Sequence, residues 1–465
     1  MVDLRPTSPT KQSMWHFFEV CPELVPQSLC AAVLGIVEGF RIRPCKDLGK
    51  NKMALTTKLI RQILTASLLL VACSCTLVVP LPTDTPTALK LGLLLNYTGS
   101  PEASADRERA FNLAISHANA GGGVLGQPVT GIAADATSDP QAAVDAARRL
   151  IEVEGVHAIV GPNASAAALP IAETVAGPAG IPMISPSATS PQLSMVPDND
   201  FFFRTALSDA IQGPVLASLT RERGFDNVGF IYVDDAYGQG LAAAFARAWD
   251  GPLRSVALDM KQPTYLEALR ESAGSGAQAL VVVAPEDHAL ALIRTALDES
   301  LFDQFIFGDA AKRLRLVQEI GGTHLGGMYG TAGASAPDND ATPGWEAAFI
   351  EAYGALPVLA YVKETYDATI ALVLAAQAAG SVEGPAMRDR LREIGGPPGY
   401  IVPGTPAGVG DGLRQLASGQ AIDYEGAASS LDWDENGDLL QGYVGIWRFT
   451  PDERIEEMDT IFVQD

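Results

Sequence analysis

The sequence predicts an α/β fold built on parallel β-sheets, and two observations support this prediction. Short runs that are apolar at every position, such as Val228–Val233 and Ala279–Val283, are typical of strands covered by helices on both faces. Segments with helical spacing of apolar residues separate these runs, and strands that alternate with helices favour parallel sheets. With 465 residues, 47% of them hydrophobic and 19% charged, the chain can form two or three domains with buried cores.

The alternation of strands and helices begins at Leu89 and runs to about residue 185. The predicted strands are Leu89–Leu95, Val129–Ala133, His157–Gly161 and Ile181–Ser185. The predicted helices between them are Ala105–Asn119, Gln141–Glu152 and Ala166–Val175. Asp139 and Pro140 favour a helix start, because Asp caps an N-terminus and Pro suits the first turn.

The same alternation resumes in the middle of the chain and ends in the last third. The predicted strands are Val228–Val233, Ser255–Leu258, Ala279–Val283 and Phe305–Phe307, and the predicted helices are Leu241–Trp249, Tyr265–Ala273, His288–Leu297, Gly344–Tyr353 and Tyr361–Ala379. Gly395–Gly412 is rich in glycine and proline, which predicts a loop. Ser430–Asp434 and Leu439–Phe449 flank an Asn-Gly pair and predict a β-hairpin.

The N-terminal part of the chain indicates export. Residues 53–72 combine basic residues with a short apolar run, as secretory signal peptides do, and residues 1–52 then form a mis-called or disordered extension. Leu70–Cys73 resembles the bacterial lipobox, which implies a lipid anchor on Cys73. Residues 73–88 are rich in proline and threonine and predict an extended tether. A buried signal-anchor helix is the alternative.

Charge and motifs narrow the classes of function. The formal net charge of −23 repels phosphate backbones, so we expect no nucleic-acid partner. No glycine-rich nucleotide loop and no GxSxG elbow is present, and the histidines show no metal-ligand spacing. The sequence therefore favours a binding protein without a metal or cofactor over an enzyme.

Neutral polar residues follow three of the predicted strands. Tyr97 comes after the first strand, Gly161–Ser165 after the third, and Ser185–Ser190 after the fourth. Ligands gather at the carboxyl ends of strands in doubly wound sheets, and the helix that begins near Ala164 offers free N–H groups to an anion. Ser165 and Thr189 could add hydroxyl donors for a carboxylate. The alternative is that each hydroxyl only caps its own backbone.

Six stretches in order carry a family resemblance: Gly122–Pro128, Asp139–Ala143, Gly180–Thr189, Phe203–Thr205, Asp235–Gly240 and Leu431–Asp438. With them, the chain from about residue 89 to 463 resembles the branched-chain amino-acid binding proteins of bacterial ABC importers. The resemblance implies the type I periplasmic binding fold, with two doubly wound parallel-sheet lobes joined by three crossings. It places lobe 1 at 89–207 and 334–440, and lobe 2 at 208–333 and 441–465.

The same resemblance assigns the ligand site residue by residue. It implies that Ser165, Ala188 and Thr189 hold the α-carboxylate of an amino acid. It implies that Asp209 and Asp309 meet the α-ammonium and that Tyr237 packs on the ligand. For Asp309, capping of a helix near Ala311 is the alternative.

Glu286 departs from the family pattern. Relatives that bind leucine have aromatic residues at this point, whereas this chain has Ala284-Pro285-Glu286. An acidic side chain suits a polar or cationic ligand side chain, or a second contact to the ammonium. The sequence therefore argues against a purely aliphatic ligand.

The function implied by the resemblance is an extracytoplasmic solute-binding lipoprotein of an ABC importer. We expect a monomer, anchored on the outer side of the cytoplasmic membrane or in the periplasm, that captures an amino acid and delivers it to the transmembrane permease subunits. Three alternatives stay open. They are a ligand sensor of the same fold, a binder of amides, urea or aromatic acids, and a hydrolase or lyase with Glu286 or Asp309 as its base.

Overall fold

The computed structural model describes residues 86–464 except Pro263, Ser275, Asp338 and Val358. The predicted extension, the signal peptide, the lipid anchor at Cys73 and most of the tether lie outside the described residues. The described residues form one compact unit.

The first sheet has five parallel strands in the order β2-β1-β3-β4-β5. They are β1 (Lys90–Leu95), β2 (Thr130–Asp135), β3 (Ala158–Val160), β4 (Met183–Ser185) and β5 (Phe202–Arg204). The connecting helices are Pro101–Ala120, Pro140–Glu152 and Ser165–Ile171. The last of these is continued by a π-helical turn at Ala172–Ala176 and a short helix at Gly177–Ala179. A 3-10 turn at Pro191–Met195 lies between β4 and β5. Apolar side chains pack on both faces of this sheet, so β1, β3, β4 and β5 are buried as predicted, whereas the edge strand β2 is partly exposed.

The second sheet has seven strands in the order β14-β13-β10-β9-β8-β6-β7. They are β6 (Val228–Val233), β7 (Leu253–Leu258), β8 (Ala279–Val283), β9 (Phe305–Phe307), β10 (Tyr329–Ala334), β13 (Gln441–Phe449) and β14 (Ile455–Gln464). Strands β6 to β10 are parallel, whereas β13 and β14 join the edge in antiparallel pairing. Its helices are Asp209–Glu222, Ala236–Ala248, Leu266–Ala273, Glu286–Asp298, Leu314–Ile320 and Gly322–Leu325, with a 3-10 turn at Asp309–Ala311.

The chain passes between the two sheets three times. It leaves the first sheet after β5, returns after β10, and enters the second sheet again at β13. The elements between the last two passages are the helices Ala341–Tyr353, Val362–Ala379, Gly384–Gly395 and Pro406–Ala417 and the strands β11 (Tyr400–Pro403) and β12 (Ile422–Glu425). Their side chains pack into the core of the first sheet. The predicted fold class, two doubly wound parallel sheets joined by three crossings, is confirmed, while the lobe boundaries stay a prediction.

The predicted loop at Gly395–Gly412 is wrong. Strand β11 and the helix Pro406–Ala417 occupy most of it, and the Thr405 side chain caps that helix by accepting from the Gly408 N–H. Glycine is needed here for close packing, since a Cβ on Gly408 would clash with the Pro403 carbonyl oxygen. The glycines that suggest a loop therefore serve contact between a helix and a strand.

The predicted β-hairpin is present only as a narrow turn. Trp433 and Leu439 form a single bridge, and β13 begins at Gln441 and pairs with β10 and β14. Edge pairing with β10 is a long-range contact, which local turn chemistry does not reveal.

Among the described residues, no single helix is long and apolar enough to cross a membrane. The helices Val362–Ala379 and Gly384–Gly395 pass that test only as a pair bent by 108°, and the side chains of the first are largely buried in the protein core.

Candidate functional site

The hydroxyl-rich loop after β4 is held in place by a buried ion pair. Arg204, fully buried at the end of β5, donates to both carboxylate oxygens of Asp438 at 2.6 and 2.7 Å. The same guanidinium donates to the carbonyl oxygens of Ala188 at 3.4 Å and Ser190 at 3.0 Å. Because a bidentate Arg–carboxylate pair has a fixed geometry, the loop has a defined position at the carboxyl edge of the first sheet.

The three residues predicted to hold a carboxylate lie together at this edge. Ser165 is buried at the start of its helix, and its Oγ accepts from the Ser190 N–H at 3.1 Å. Ala188 and Thr189 are buried in the neighbouring loop. The Thr189 hydroxyl donates to Asp209 Oδ2 at 2.8 Å, so it links the loop to an acidic side chain. The contact of these residues with a ligand carboxylate stays a prediction.

Asp209 is the first of two buried carboxylates. It begins the helix Asp209–Glu222 and is fully buried, and its N–H donates to the Thr189 carbonyl at 2.7 Å. Its Oδ1 has no hydrogen-bond partner among the described residues. Burial, and then the nearby charge of Asp309, raise the pKa of Asp209 well above its usual value. An unsatisfied buried carboxylate oxygen is costly, which marks this position as a place for a ligand group.

Asp309 is the second carboxylate, and it lies at the centre of a polar network. Its Oδ1 accepts from the Tyr237 hydroxyl at 2.7 Å and from Gln212 Nε2 at 3.4 Å, and its Oδ2 accepts from the Tyr361 hydroxyl at 3.0 Å. Among the described residues, the hydrogen bonds of its side chain all come from these three side chains and none from a backbone N–H, which favours the site over the alternative of a helix cap near Ala311. Burial, and then the charge of Asp309, raise the pKa values of Tyr237 and Tyr361 well above their usual range.

The two carboxylates lack a basic partner. Within the described part of the chain, no Lys, Arg or His lies at ion-pair distance from Asp209 or Asp309, and Arg204 is paired with Asp438. Two buried like charges repel each other, and a cationic group placed between them would form charge-assisted hydrogen bonds. The geometry therefore suits an ammonium group.

Sequence reasoning missed three residues of this region: Gln212, Tyr361 and Arg107. Gln212 lies three residues after Asp209 on the same helix, so helical spacing could have revealed it. Tyr361 precedes the helix Val362–Ala379 with a φ of 70°, and its hydroxyl comes to Asp309 from a distant part of the sequence. No sequence signal points to that contact. Arg107 is buried on the helix Pro101–Ala120 and faces the Tyr361 ring.

Tyr97 and Glu286 have no direct hydrogen bond to the two carboxylates within the described residues. The Tyr97 N–H donates to Asp135 Oδ1 at 3.0 Å, and burial, followed by the charge of Glu108, raises the pKa of the Tyr97 hydroxyl. Glu286 begins the helix Glu286–Asp298, and its Oε2 lies 4.0 Å from Arg315 Nη1. Partial burial raises the pKa of Glu286. Their contact with a ligand stays a prediction.

A cavity of about 270 Å³ lies beside this region. The end of β10, the segment Leu356–Glu364 and two residues of β14 contribute to its wall, which includes Lys312, Trp345 and Tyr361. Neither Asp209 nor Asp309 lines it, and of the predicted ligand contacts none does. The chemistry of the site is therefore in the buried carboxylate network and not in this cavity.

A fold of two doubly wound sheets with buried polar side chains between them is typical of proteins that bind small solutes. Residues 88–412 match the family model described as periplasmic binding protein. The chain belongs to that family, which implies an extracytoplasmic location.

Curated relatives support the assignment. The chain is 26% identical over 363 residues to the chemotactic signal transduction system substrate-binding protein BasB of Halobacterium salinarum, covering 73% of this chain and 81% of the relative. It is 33% identical over 156 residues to a leucine-, isoleucine-, valine-, threonine- and alanine-binding protein of Pseudomonas aeruginosa, covering 33% of this chain and 41% of the relative.

Solved structures show the same fold. The leucine-binding protein LivK of Thermotoga maritima matches with a TM-score of 0.67 at 23% identity, over 80% of this chain and 99% of that one. The branched-chain amino-acid transporter substrate-binding protein LivJ of Streptococcus pneumoniae, in complex with isoleucine, matches with a TM-score of 0.65 at 21% identity, over 82% and 100%. The predicted type I periplasmic binding fold is confirmed.

Proposed function

We propose that the protein captures an amino acid between its two sheets. The ammonium group binds between Asp209 and Asp309, and the carboxylate binds at Ser165, Ala188 and Thr189. The observation that carries this proposal is the buried pair of carboxylates, one with an unpartnered oxygen, next to the hydroxyl-rich loop. Relatives named for leucine, isoleucine and valine binding support the ligand class.

We further propose that the two sheets with their helices are two lobes that close on the ligand. The contacts that support closure join the loop after β4 to the helix Ala236–Ala248 of the second sheet. The Ser190 hydroxyl donates to the Ala236 carbonyl at 2.7 Å, and Pro191 packs against Gly240. Tyr237 follows directly and contacts Asp309, so closure brings it onto the ligand.

Delivery to an ABC permease is the proposed use of the captured ligand, with the protein monomeric and not catalytic. Sensing is the second candidate, because the match to the chemotactic relative BasB spans most of that protein. A permease complex would couple closure to ATP hydrolysis, whereas a signalling partner would not. If the ligand-loaded protein stimulates the ATPase activity of a candidate permease in vesicles, transport is supported. If it binds a signalling partner and stimulates no permease ATPase, sensing is supported.

We also propose that a lipid on Cys73 anchors the protein to the membrane. Each buried acyl methylene contributes about 0.8 kcal/mol, so two or more chains hold a protein at a membrane. Cys73→Ala should release the protein from the membrane fraction, whereas Cys75→Ala should leave it there. Equal retention of both variants would contradict the anchor.

The ligand is tested with a thermal-shift screen of amino acids, amides and aromatic acids. A ligand at 100 times its Kd adds about 2.7 kcal/mol to the free energy of unfolding. We expect a shift with at least one amino acid, lost in Asp209→Asn and kept in Glu222→Gln, an exposed control at the other end of the same helix. A shift with aromatic acids or amides alone would contradict the proposal.

A further inference from the structure

Arg107 is a buried arginine that has no acidic partner among the residues that the structure describes. It lies on the helix Pro101–Ala120 and is only 3% exposed. Its Nη2 donates to the Ala360 carbonyl at 3.3 Å, and its Nε has no hydrogen-bond partner among the described residues. Within the described chain, no carboxylate lies at ion-pair distance from it. A buried charge without a partner is strongly unfavourable. We therefore expect a ligand group to pair with this buried guanidinium.

Tyr361 connects Arg107 to the carboxylate pair. The guanidinium carbon of Arg107 lies 5.7 Å from the centre of the Tyr361 ring, and the Tyr361 hydroxyl donates to Asp309 at 3.0 Å. One aromatic side chain therefore contacts the proposed ammonium site with its hydroxyl and Arg107 with its ring.

A second arginine shares this region. Arg313 follows Asp309 after β9, and among the described residues its one side-chain hydrogen bond goes from Nη1 to the Lys312 carbonyl at 2.9 Å. Burial, and then the charge of Arg313, lower the pKa of Arg107 to about 10. The acidic groups that act on the two arginines are Asp309, Glu364 and Glu286, and in the described structure none of them forms an ion pair with either arginine. The positive charge here is not neutralised by direct contacts.

We propose that Arg107, assisted by Arg313, determines specificity by binding a carboxylate at the far end of the ligand, so that the captured amino acid is an acidic one. This inference rests on the proposed function for the ammonium end of the ligand. Guanidinium groups bind carboxylates with charge-assisted, bidentate hydrogen bonds. An aliphatic side chain placed at the same point would leave the buried guanidinium unpaired.

The proposal is tested by titration calorimetry of the full chain with three probes: L-glutamate, L-leucine and glutarate, which has both carboxylates but no ammonium. We expect the parent to bind glutamate at least tenfold more tightly than leucine. Arg107→Met should weaken glutamate binding by roughly tenfold to a hundredfold, as expected for a lost hydrogen bond to a charged group, and should leave leucine nearly unchanged. Arg109→Met, an exposed arginine on the same helix that pairs with Asp106, is the matched control and should change neither.

The outcomes separate the inference from the proposed function. If leucine binds as tightly as glutamate and Arg107→Met changes neither, Arg107 is structural and the inference is overturned while the amino-acid site stands. If glutarate binds in an Arg107-dependent manner and no amino acid binds, the carboxylate subsite stands and the proposed function fails. If no probe binds, both fail. Should Arg107→Met not fold, Arg313→Gln gives the same comparison at a partly exposed position, with the same criteria.

Discussion

At the scale of single residues, Asp209 and Asp309 differ in how their carboxylate oxygens are hydrogen-bonded in the candidate site. Among the described residues, three side chains donate to the oxygens of Asp309, whereas Asp209 has one hydrogen-bonded oxygen and one without a partner. The engaged carboxylate is preorganised by its network, and the unpartnered one gains a hydrogen bond when a cation arrives. In the proposed function, the two carboxylates bind an ammonium from two sides.

Replacement of Asp309 tests the preorganised half of the site. Asp309→Asn removes the charge and keeps the shape, so the ammonium loses a charge-assisted hydrogen bond while the network keeps an acceptor. We expect amino-acid binding to weaken by roughly tenfold to a hundredfold in titration calorimetry. The exposed Asp250→Asn serves as a control and should bind like the parent. Unchanged affinity in Asp309→Asn would remove this carboxylate from the site.

At the scale of elements, buried polar side chains fix the loops around the site. Arg204 and Asp438 join β5 to the turn after Trp433, and Asp367 joins the helix Val362–Ala379 to the segment that follows β12. Asp367 accepts from the Tyr424 hydroxyl and from the N–H groups of Ala427 and Ala428. These contacts join residues that are far apart in the sequence, and they fix the positions of the loops.

The carboxyl of Asp367 should make stability depend on pH. Burial raises its pKa from 3.8 to about 7, so between these values the folded protein binds a proton that the unfolded chain has released. The contribution of this group is therefore favourable at low pH and is lost progressively as pH rises from about 4 to about 7. Asp367→Asn should show a smaller loss of Tm over this range in calorimetry than the parent does. An identical pH dependence in both proteins would contradict the assignment.

Elements with strong local signals were predictable from the sequence, and contacts between distant segments were not. The all-apolar runs at Val228–Val233, Ala279–Val283 and Phe305–Phe307 match the strands residue for residue. The strand β11 and the helix Pro406–Ala417 were not predicted. The glycines in this segment give it the composition of a loop, although they serve close packing.

The candidate site shows the same contrast between what the sequence predicts and what depends on contacts between distant segments. Asp209 and Asp309 were predictable through the family resemblance, and the structure brings them together. The side chains of Tyr361 and Arg107 reach the region through tertiary packing that no spacing in the sequence encodes.

At the scale of the whole molecule, the proposed function requires that the two sheets, which are joined by three crossings, rotate against each other. Contacts between the loop after β4 and the helix Ala236–Ala248 should form and break with ligand, since a ligand that contacts both sheets stabilises the closed state.

Small-angle scattering checks this motion. We expect the radius of gyration to fall when a saturating amino-acid ligand is added to the purified protein. Ser190→Ala removes the hydrogen bond to the Ala236 carbonyl and should shift the ligand-free protein towards the open form. Ser418→Ala, which removes an exposed hydroxyl that donates to the Gln415 carbonyl, is the control and should not. Identical profiles with and without ligand would contradict closure.

The central claim is that a buried pair of carboxylates binds the ammonium of the ligand. It is tested most directly by calorimetry with matched probes that differ only in that group: L-leucine against 4-methylpentanoate, and L-glutamate against glutarate. For the pair whose amino acid binds, the parent should prefer the amino acid by roughly a hundredfold, and Asp209→Asn should lose most of that preference. A parent protein that binds both members of the pair equally well, or an Asp209→Asn variant that keeps the full preference, would contradict it.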